Sequence, residues 1–376
     1  MWALVEAAQV IPQIHARARE EFRSGKTQSI AFRKEQIAQV GYLVKDNEDR
    51  FKDALKRDLG RPPLETEFLE FAQVYNDVAK AYSSVDKWAA PTRAEFDLGV
   101  WAMSPKYTAE PKGVVLIISP FNCPIMLSLS PLVGAIAGGN ATVIKPSEHA
   151  PATCALLVEL VPKYLDPDLY RVVTGGIPEA KKICVAPEYV LVPAHLQDAF
   201  VDAVKEVYHS FFPDGPETSE SFGRIVSEAH TQRIKNLIDD TRGSIVFGGG
   251  ADMSKKYIAP TLVRDVPRND SLMREEIFGP VLLVIPVKDV DEAIAFINER
   301  DHPLVIHVFS QDKAFQKKVF SRTHSGSAVA NDTMLIVGIP GLPMGGTGES
   351  GYGYFTGKDM FDQFTHKRAS IDTPGW

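Results

Sequence analysis

The sequence predicts an α/β protein, because short apolar runs rich in β-branched residues alternate with stretches of helical periodicity. Residues 114–119 read Val-Val-Leu-Ile-Ile-Ser, and 141–144 and 170–174 are shorter segments of the same kind. A helix-compatible stretch at 125–137 separates the first two, and another helix is predicted after Pro151. Strands buried on both faces of a parallel sheet look like this. These elements predict half of a Rossmann-type sheet.

The segments on either side of this sheet complete the predicted architecture. Within residues 1–90, apolar side chains such as Ile37, Val40 and Val44 recur about every 3.6 residues, which predicts amphipathic scaffold helices. After residue 184 the alternation restarts and predicts a second α/β unit. Its predicted strands are 189–192, 244–247, 281–287, 305–309 and 328–331, and its predicted helices are 200–211 and 233–239.

Length and composition are those of an ordinary globular protein. The chain has 376 residues, of which 44% are hydrophobic and 24% are charged. Two domains are the expectation for this length. The 41 Lys and Arg residues against 48 Asp and Glu residues give a net charge of −7. This charge argues against a general affinity for nucleic acid.

Cysteine usage and the hydrophobic pattern bear on the compartment. Cys123, Cys154 and Cys184 are few and odd in number, as expected for a reducing compartment rather than for a disulfide framework. Charged residues interrupt residues 1–20, so no secretory signal is predicted. No run of about 18 apolar residues occurs, so no membrane span is predicted. We therefore expect a cytoplasmic protein.

Two short segments carry residues suited to carbonyl chemistry. Cys184 lies in Ile-Cys-Val-Ala-Pro, and Asn122 lies in Pro-Phe-Asn-Cys-Pro directly after the first predicted strand. A thiol that attacks a carbonyl needs a hydrogen-bond donor where negative charge develops on oxygen, and an asparagine amide on a rigid turn supplies one. The alternatives are a buried structural cysteine, which suits Cys154 better, and a turn-forming asparagine. Cys123 is expected only to pack beside Asn122.

Several motifs, in the same order along nearly the whole chain, resemble those of the aldehyde dehydrogenase superfamily. They are residues 120–124, 145–148, 183–187, 275–280 and 348–353. The segments 331–333, 354–358 and 364–368 are most similar to the fatty-aldehyde, class 3-like branch. The resemblance implies oxidation of an aldehyde to a carboxylic acid with a nicotinamide dinucleotide. It also implies a Rossmann-like cofactor domain, an α/β catalytic domain and a C-terminal oligomerisation arm.

The resemblance assigns the thiol and the amide to catalysis. Cys184 matches the family nucleophile, although residues 181–183 depart from the family's Gly-Gln-Thr-like lead-in. Asn122 matches the family's oxyanion donor. Residues 335–337 are apolar where the family often has a histidine, which leaves the aldehyde preference open.

The same resemblance assigns four residues to the cofactor. Lys145 and Glu148 follow the second predicted strand, where the family holds the adenosine ribose; exposed loop residues are the alternative reading. Glu276 and Phe278 match the pair that holds the nicotinamide ribose and packs near the nicotinamide ring; a loop at a strand end is the alternative. Glu148 favours NAD, NADP stays open, and no metal site is predicted.

The sequence departs from the family between the third predicted strand and the nucleophile. In the family, a segment like 175–180 is followed by a second Gly-containing strand-to-helix turn and a Glu-Leu-Gly-Gly strand. Here Lys181-Lys182 leads directly to Ile183-Cys184. The shortfall is roughly 60 to 70 residues, about two strand-helix units of a doubly wound sheet.

Three losses are expected from this departure. One is a helix N-terminus that would bind the cofactor pyrophosphate. Another is the carboxylate that the family uses as general base, since the nearest acids, Glu179 and Glu188, match no motif. The third is a sheet neighbour, which predicts an unpaired apolar edge at residues 114–119.

These patterns predict an incomplete Rossmann-like cofactor domain at 1–182, an α/β catalytic domain at 183–345 and a C-terminal arm at 346–376. The predicted function is an aldehyde dehydrogenase that oxidises a hydrophobic aldehyde with NAD or NADP through a cysteine thiohemiacetal, impaired by the missing segment. A catalytically inactive homologue that acts as a partner subunit is the alternative, and a cofactor-free thioesterase is a third reading. The resemblance of the C-terminal arm predicts a homodimer.

Overall fold

A computed structural model describes residues 2–175, 185–339 and 341–373, with side chains from residue 11 onward. The α-helices of this part are α1 (Trp2–Arg23), α2 (Ile30–Lys45), α3 (Glu48–Leu59), α4 (Pro63–Thr66), α5 (Ala72–Ala89), α6 (Met126–Ala137), α7 (Pro151–Tyr164), α8 (Gln197–Phe211), α9 (Glu228–Asp239), α10 (Val290–Asn298), α11 (Lys313–Arg322) and α12 (Gly357–Gln363). Within the described chain, each helix is too short or too polar to cross a lipid bilayer.

The described strands form five separate sheets. They are β1 (Thr92–Arg93), β2 (Lys106–Pro111), β3 (Val114–Ile118), β4 (Ala141–Lys145), β5 (Tyr170–Val172), β6 (Tyr189–Pro193), β7 (Ser244–Phe247), β8 (Ala251–Asp252), β9 (Tyr257–Ile258), β10 (Thr261–Arg264), β11 (Val281–Val287), β12 (Val305–Val308), β13 (Ser327–Ala330) and β14 (Thr365–Ser370).

The predicted half Rossmann sheet is confirmed. Strands β3, β4 and β5 lie in that order and are all parallel. Helix α6 connects β3 to β4, and α7 connects β4 to β5. Because parallel strands end at the same edge of a sheet, the residues after Ile118, Lys145 and Val172 lie at one edge, where ligands of such folds bind.

The amino-terminal helices pack against this sheet and its connecting helices, as their periodicity predicted. Helix α2 buries Ile37, Val40 and Val44, and α3 buries Phe51 in the same core. The Phe51 ring meets Phe71 edge-on, with ring centroids 6.5 Å apart. Helix α5 packs on both α2 and α6. The scaffold therefore braces the connection that leads from β3 into α6.

The exposed edge that the sequence predicts at β3 is also present. In β3 the side chains of Leu116 and Ile118 are 58% and 48% exposed, whereas every residue of β4 is buried. The Ser119 N–H donates to the carbonyl of Lys145 in β4, and the Gly113 carbonyl accepts from the Ala141 N–H. Alternate residues of a parallel strand bond to the same neighbour. The backbone N–H and C=O groups of Val114, Leu116 and Ile118 consequently face the free edge.

The second α/β unit contains a four-stranded sheet in the order β6-β11-β10-β7 and a separate parallel pair, β12-β13. The pairs β6–β11 and β10–β11 are parallel, and β7 is antiparallel to β10. A third sheet joins β2 to the carboxy-terminal strand β14, with Thr365 opposite Pro111. The sequence prediction missed β2, β10 and β14, because they lack a continuous apolar run.

Candidate functional site

Asn122 lies in the turn between β3 and α6. Pro124 ends this turn, and Phe121 anchors it in the core at 6% exposure. The Asn122 side chain is half-buried and lines a cavity of about 260 Å³. Among the described residues, none forms a hydrogen bond with its side-chain amide. That amide is therefore available to donate to a group inside the cavity.

The backbone of this turn is held by an ion pair. Arg61 Nη2 donates to the Asn122 carbonyl oxygen, and Arg61 Nη1 lies 2.6 Å from Glu70 Oε1. Glu70 Oε2 accepts from the backbone N–H groups of Ile125, at 3.1 Å, and Met126, at 2.7 Å. Glu70 is fully buried and lies in a π-helical turn, Glu67–Phe71, between α4 and α5. Such π-helical turns are frequent at functional sites.

Burial and charge set the protonation of this pair. Burial raises the pKa of the Glu70 carboxyl to about 6, although the positive charge of Arg61 and the two backbone N–H groups act against the rise. Burial is the largest single influence on the pKa of Arg61 and lowers it, but Glu70, Cys123 and Glu65 together outweigh burial and the pKa of Arg61 is raised. Near pH 7 both groups are charged.

A cluster of four rings, three of which line the cavity, joins the two halves of the chain. Phe121 meets Phe278 edge-on with ring centroids 5.6 Å apart, and it lies 6.0 Å from both His149 and His230. The two imidazole rings are 5.4 Å apart. Phe278, which the sequence assigned to the cofactor, therefore lies beside the Asn122 turn.

Side chains bind both the backbone carbonyls and the backbone N–H groups of the loop that carries Glu276 and Phe278. Arg233 donates to the backbone carbonyls of Glu276, at 3.3 Å, and Ile277, at 2.6 Å. The carboxylate of Glu188 accepts from the backbone N–H groups of Ile277, at 2.7 Å, and Phe278, at 3.2 Å. Phe278 has a φ of 50°, a strained value for a bulky residue that the surrounding contacts must enforce. Glu188 thus supports this loop.

Lys145 and Glu148 are brought together at the end of β4. Lys145 is 7% exposed and forms an ion pair with Glu148. Burial is the largest single influence on the pKa of the Glu148 carboxyl and raises it, but the hydrogen bond and charge of Lys145, together with a backbone N–H and His149, outweigh burial and the pKa is lowered. An ammonium and a carboxylate at this edge of a Rossmann-type sheet suit a ribose, whose hydroxyls both donate and accept.

The helix N-termini at this edge do not suit a pyrophosphate. A dinucleotide needs free N–H groups at a helix N-terminus for its phosphates. At α6 these groups are bonded to Glu70. At α7 the first backbone N–H groups bond to the buried carboxylate of Asp58 at 3.0 and 2.8 Å. The carboxylates of Glu70 and Asp58 thus occupy the positions at which a phosphate would bind, and their negative charges would repel it. The described residues therefore fit the ribose ends of a dinucleotide and do not fit its centre.

Cys184 and Glu179 lie outside the described residues. The next residue after the cysteine that is described is Val185, whose carbonyl oxygen lies 3.1 Å from His307 Nε2. His307 Nδ1 lies 2.9 Å from the carbonyl oxygen of Asp332. The imidazole of His307 therefore lies between the carbonyl oxygens of Val185 and Asp332. Strand β12 thus holds the chain immediately after the nucleophile.

Several of these contacts were not predicted. Arg61, Glu70 and His230 belong to no recognised motif, and only their polar character in otherwise amphipathic helical segments could have pointed to them. The expectation that Cys123 only packs is wrong in one respect, since its thiol is half-exposed and hydrogen-bonds to Arg61. Cys154 is buried, as expected, and burial raises the pKa of its thiol.

The fold and the cavity define a doubly wound α/β protein with a ligand edge at the carboxyl ends of parallel strands. A sequence model described as "Aldehyde dehydrogenase family" matches residues 3–183 and, in a second piece, residues 166–369. The chain belongs to the aldehyde dehydrogenase family.

Relatives and solved structures agree with this assignment. The chain is 34% identical to Aldehyde dehydrogenase family 3 member F1 of Arabidopsis thaliana, over 94% of this chain and 88% of the relative. It is 33% identical to the rat "Aldehyde dehydrogenase, dimeric NADP-preferring", over 94% of this chain and 93% of the relative. The substrate-bound structure of Staphylococcus aureus AldH superposes with a TM-score of 0.92 at 30% identity, covering 97% of this chain and 94% of that one.

The comparisons also locate the missing segment. The two matching pieces of the family model overlap at residues 166–183, so the family pattern is interrupted there. The alignment to the rat relative spans 427 positions, more than the 376 residues of this chain. The relative therefore contains residues that have no counterpart here, as the sequence predicted.

Proposed function

We propose that the chain is an NAD(P)-dependent aldehyde dehydrogenase in which Cys184 attacks the aldehyde and Asn122 stabilises the resulting oxyanion. The thiolate sulfur forms a bond to the carbonyl carbon, and the Asn122 amide donates to the oxygen as it becomes negative. NAD(P), when bound, supplies the acceptor for the hydride that leaves the same carbon. Water then releases the carboxylic acid from the thioester.

The available amide of Asn122 in an aromatic cavity is the observation that carries this proposal. The same cavity is lined by Phe121, Phe222 and Phe278. An apolar lining lowers the local dielectric, which strengthens the hydrogen bond to a developing oxyanion. It also favours a hydrophobic aldehyde over a charged one.

For the cofactor, we propose that Lys145 and Glu148 contact one ribose, Glu276 contacts the other, and Phe278 packs near the nicotinamide. The pairing of Lys145 with Glu148 at the end of β4 supports the first contact. The fixed loop beside Asn122 supports the others. Because the carboxylates of Asp58 and Glu70 occupy the helix N-termini, the chain should bind the dinucleotide weakly and transfer hydride slowly.

The assembly and the compartment are part of the proposal. A homodimer is supported by a relative whose name includes "dimeric". We also propose the domain boundaries expected from the sequence, between residues 182 and 183 and between residues 345 and 346. A cytoplasmic location is supported by the net charge of −7 and by the few cysteines.

The test is NADH formation by the purified chain with decanal as substrate and increasing NAD⁺. We expect a slow rate that keeps rising up to about millimolar NAD⁺, since the pyrophosphate has no helix N-terminus. Cys184→Ala should abolish it, and Cys154→Ala, which alters a thiol in α7, serves as the matched control. A rate unaffected by Cys184→Ala would refute the proposed nucleophile.

An inactive homologue that serves as a partner subunit is the second candidate. The incomplete sheet β3-β4-β5 and its open edge favour it. It predicts that neither NADH nor a covalent acyl group on Cys184 forms. Acylation of Cys184 by p-nitrophenyl acetate without NADH formation would instead indicate that only hydride transfer is lost.

A further inference from the structure

We infer that Arg61 and Glu70 are positioning residues that set the orientation of the Asn122 amide. This inference rests on the proposed role of Asn122 as oxyanion donor. The two charged side chains come from the segment between α3 and α5, far from Asn122 in the sequence, and they contact both ends of its turn.

The contacts act on the backbone that directly follows the Asn122 side chain. Arg61 donates to the carbonyl of Asn122 itself, and Glu70 accepts from the N–H groups of Ile125 and Met126. With the Asn122 carbonyl and the start of α6 both fixed, the peptide group that follows Asn122 has little freedom to rotate. The direction in which the Asn122 side chain leaves the backbone is therefore fixed as well.

The planar guanidinium is needed for this arrangement. One nitrogen of Arg61 bonds to Glu70 while another bonds to Asn122. A lysine at this position would keep a positive charge near Glu70, but its single ammonium cannot reproduce the fork that spans both partners. Arg61→Lys therefore removes the contact with the turn but still neutralises the buried carboxylate of Glu70.

The environment of the pair indicates a role beyond stability. A buried ion pair is weak evidence for stabilisation, because desolvation offsets much of the attraction. Arg61 also lines the same cavity as Asn122, with its side chain 11% exposed, whereas that of Glu70 is 0% exposed. The pair thus extends from the wall of the cavity into the core. It connects the Asn122 turn to side chains that the core holds in place.

The experiment measures acylation of Cys184 by p-nitrophenyl acetate, which requires the oxyanion donor and no dinucleotide. We expect Arg61→Lys to slow acylation about tenfold, since small misplacements of a catalytic group have effects of this order or larger. In an Asn122→Ala background, Arg61→Lys should change the rate less than about twofold, because it acts through Asn122. Equal losses in both backgrounds would overturn the inference, as would no loss in either.

Two controls distinguish positioning from general damage. Arg300→Lys changes a half-buried arginine outside this cavity whose hydrogen bonds go to the carbonyls of Phe296, at 3.0 Å, and Arg268, at 3.3 Å, and it should leave acylation unchanged. Alkylation of Cys184 by iodoacetamide forms no oxyanion, so Arg61→Lys should leave that rate unchanged. A variant that loses alkylation together with acylation would show general damage and contradict a positioning role.

A second measurement applies even if the wild-type chain forms no acyl group, an outcome that would refute the proposed function alone. In a ¹⁵N-asparagine-labelled protein, the Asn122 side-chain amide resonance is identified by its absence from Asn122→Ala. We expect this resonance to shift or broaden in Arg61→Lys and to stay in place in Arg300→Lys. An unmoved resonance in Arg61→Lys would overturn the inference.

Discussion

The Asn122 turn and the strand that precedes it, β3, are adjacent in the chain but are held in different ways. The turn is fixed at both ends by the buried pair Arg61 and Glu70. Among the described strands, β3 has a neighbour on one side only, and its Leu116 and Ile118 side chains are 58% and 48% exposed. The difference teaches that the turn is supported by side chains far away in the sequence, whereas β3 lacks support along its exposed side in the described part of the chain.

Strands β3 and β4 sharpen this comparison, because both are short and apolar and they share one sheet. Every residue of β4 is buried between two neighbouring strands, while β3 is an edge strand. The exposure of β3 thus follows from its position in an incomplete sheet and not from its composition. The predictions below test the two regions separately.

The largest effect is expected at the turn. Asn122→Ala should lower the rate constant for acylation by p-nitrophenyl acetate about 10²- to 10³-fold, the loss typical for one oxyanion donor. Stability should change by less than about 0.5 kcal/mol, because no described residue bonds to this side-chain amide. Stopped-flow measurement of nitrophenolate release checks the rate. A loss smaller than about threefold would contradict the assigned role.

A second asparagine, Asn140, provides the structural counterpart. Its fully buried side chain accepts from the Gly113 N–H at 3.0 Å and donates to the carbonyls of Ala135, at 3.1 Å, and Phe364, at 3.0 Å. Asn140→Ala should lower the free energy of unfolding by about 2 to 4 kcal/mol, because the Gly113 N–H and the carbonyls of Ala135 and Phe364 each lose one hydrogen bond. Urea denaturation measures this, and a decrease below about 1 kcal/mol would be inconsistent with these contacts.

The protonation of Glu70 gives a smaller effect with a defined sign. Its pKa is raised from 4.5 to about 6 in the folded chain, so the folded state binds protons more tightly than the unfolded state. The stability that this contributes is complete below about pH 4.5 and is lost as the pH rises through about 6. Relative to Glu70→Gln, the wild type should lose about 1 kcal/mol between about pH 5 and about pH 7.5. A pH-independent difference in urea denaturation would refute the raised pKa.

The smallest effect on stability is expected at the free edge. Leu116→Lys should change the free energy of unfolding by less than about 0.5 kcal/mol, because the side chain is already largely exposed. It should reduce concentration-dependent association, since a charge on an exposed edge opposes strand pairing. Light scattering compares it with Leu64→Lys, which places the same charge at a residue 77% exposed in α4. Equal association in both variants would contradict a role for the β3 edge in association.

The sequence was most informative where strands form uninterrupted apolar runs. Strands β3 and β4 were both predicted to within one residue from such runs, although only β4 is buried throughout. Strands β2 and β14 were not predicted, because their polar residues become a sheet only through pairing across the length of the chain. Such pairing leaves no local pattern.

The site was predictable where its residues follow these strands. Asn122 and Lys145 lie at the expected edge because both come after strands with clear patterns. Arg61 and Glu70 could not be found, because their effect depends on a tertiary approach to the turn. Glu188 had no recognisable motif, and only the structure reveals that its carboxylate holds the backbone of the Phe278 loop.

The central claim is that Cys184 can still be acylated, whereas the dinucleotide binds only weakly. It is tested most directly by titrating NADH into the same preparation that is assayed for acylation of Cys184. The account predicts release of about one nitrophenolate per chain and an NADH dissociation constant of about 1 mM or weaker. Binding of NADH at about micromolar concentration, with or without acylation, would contradict it.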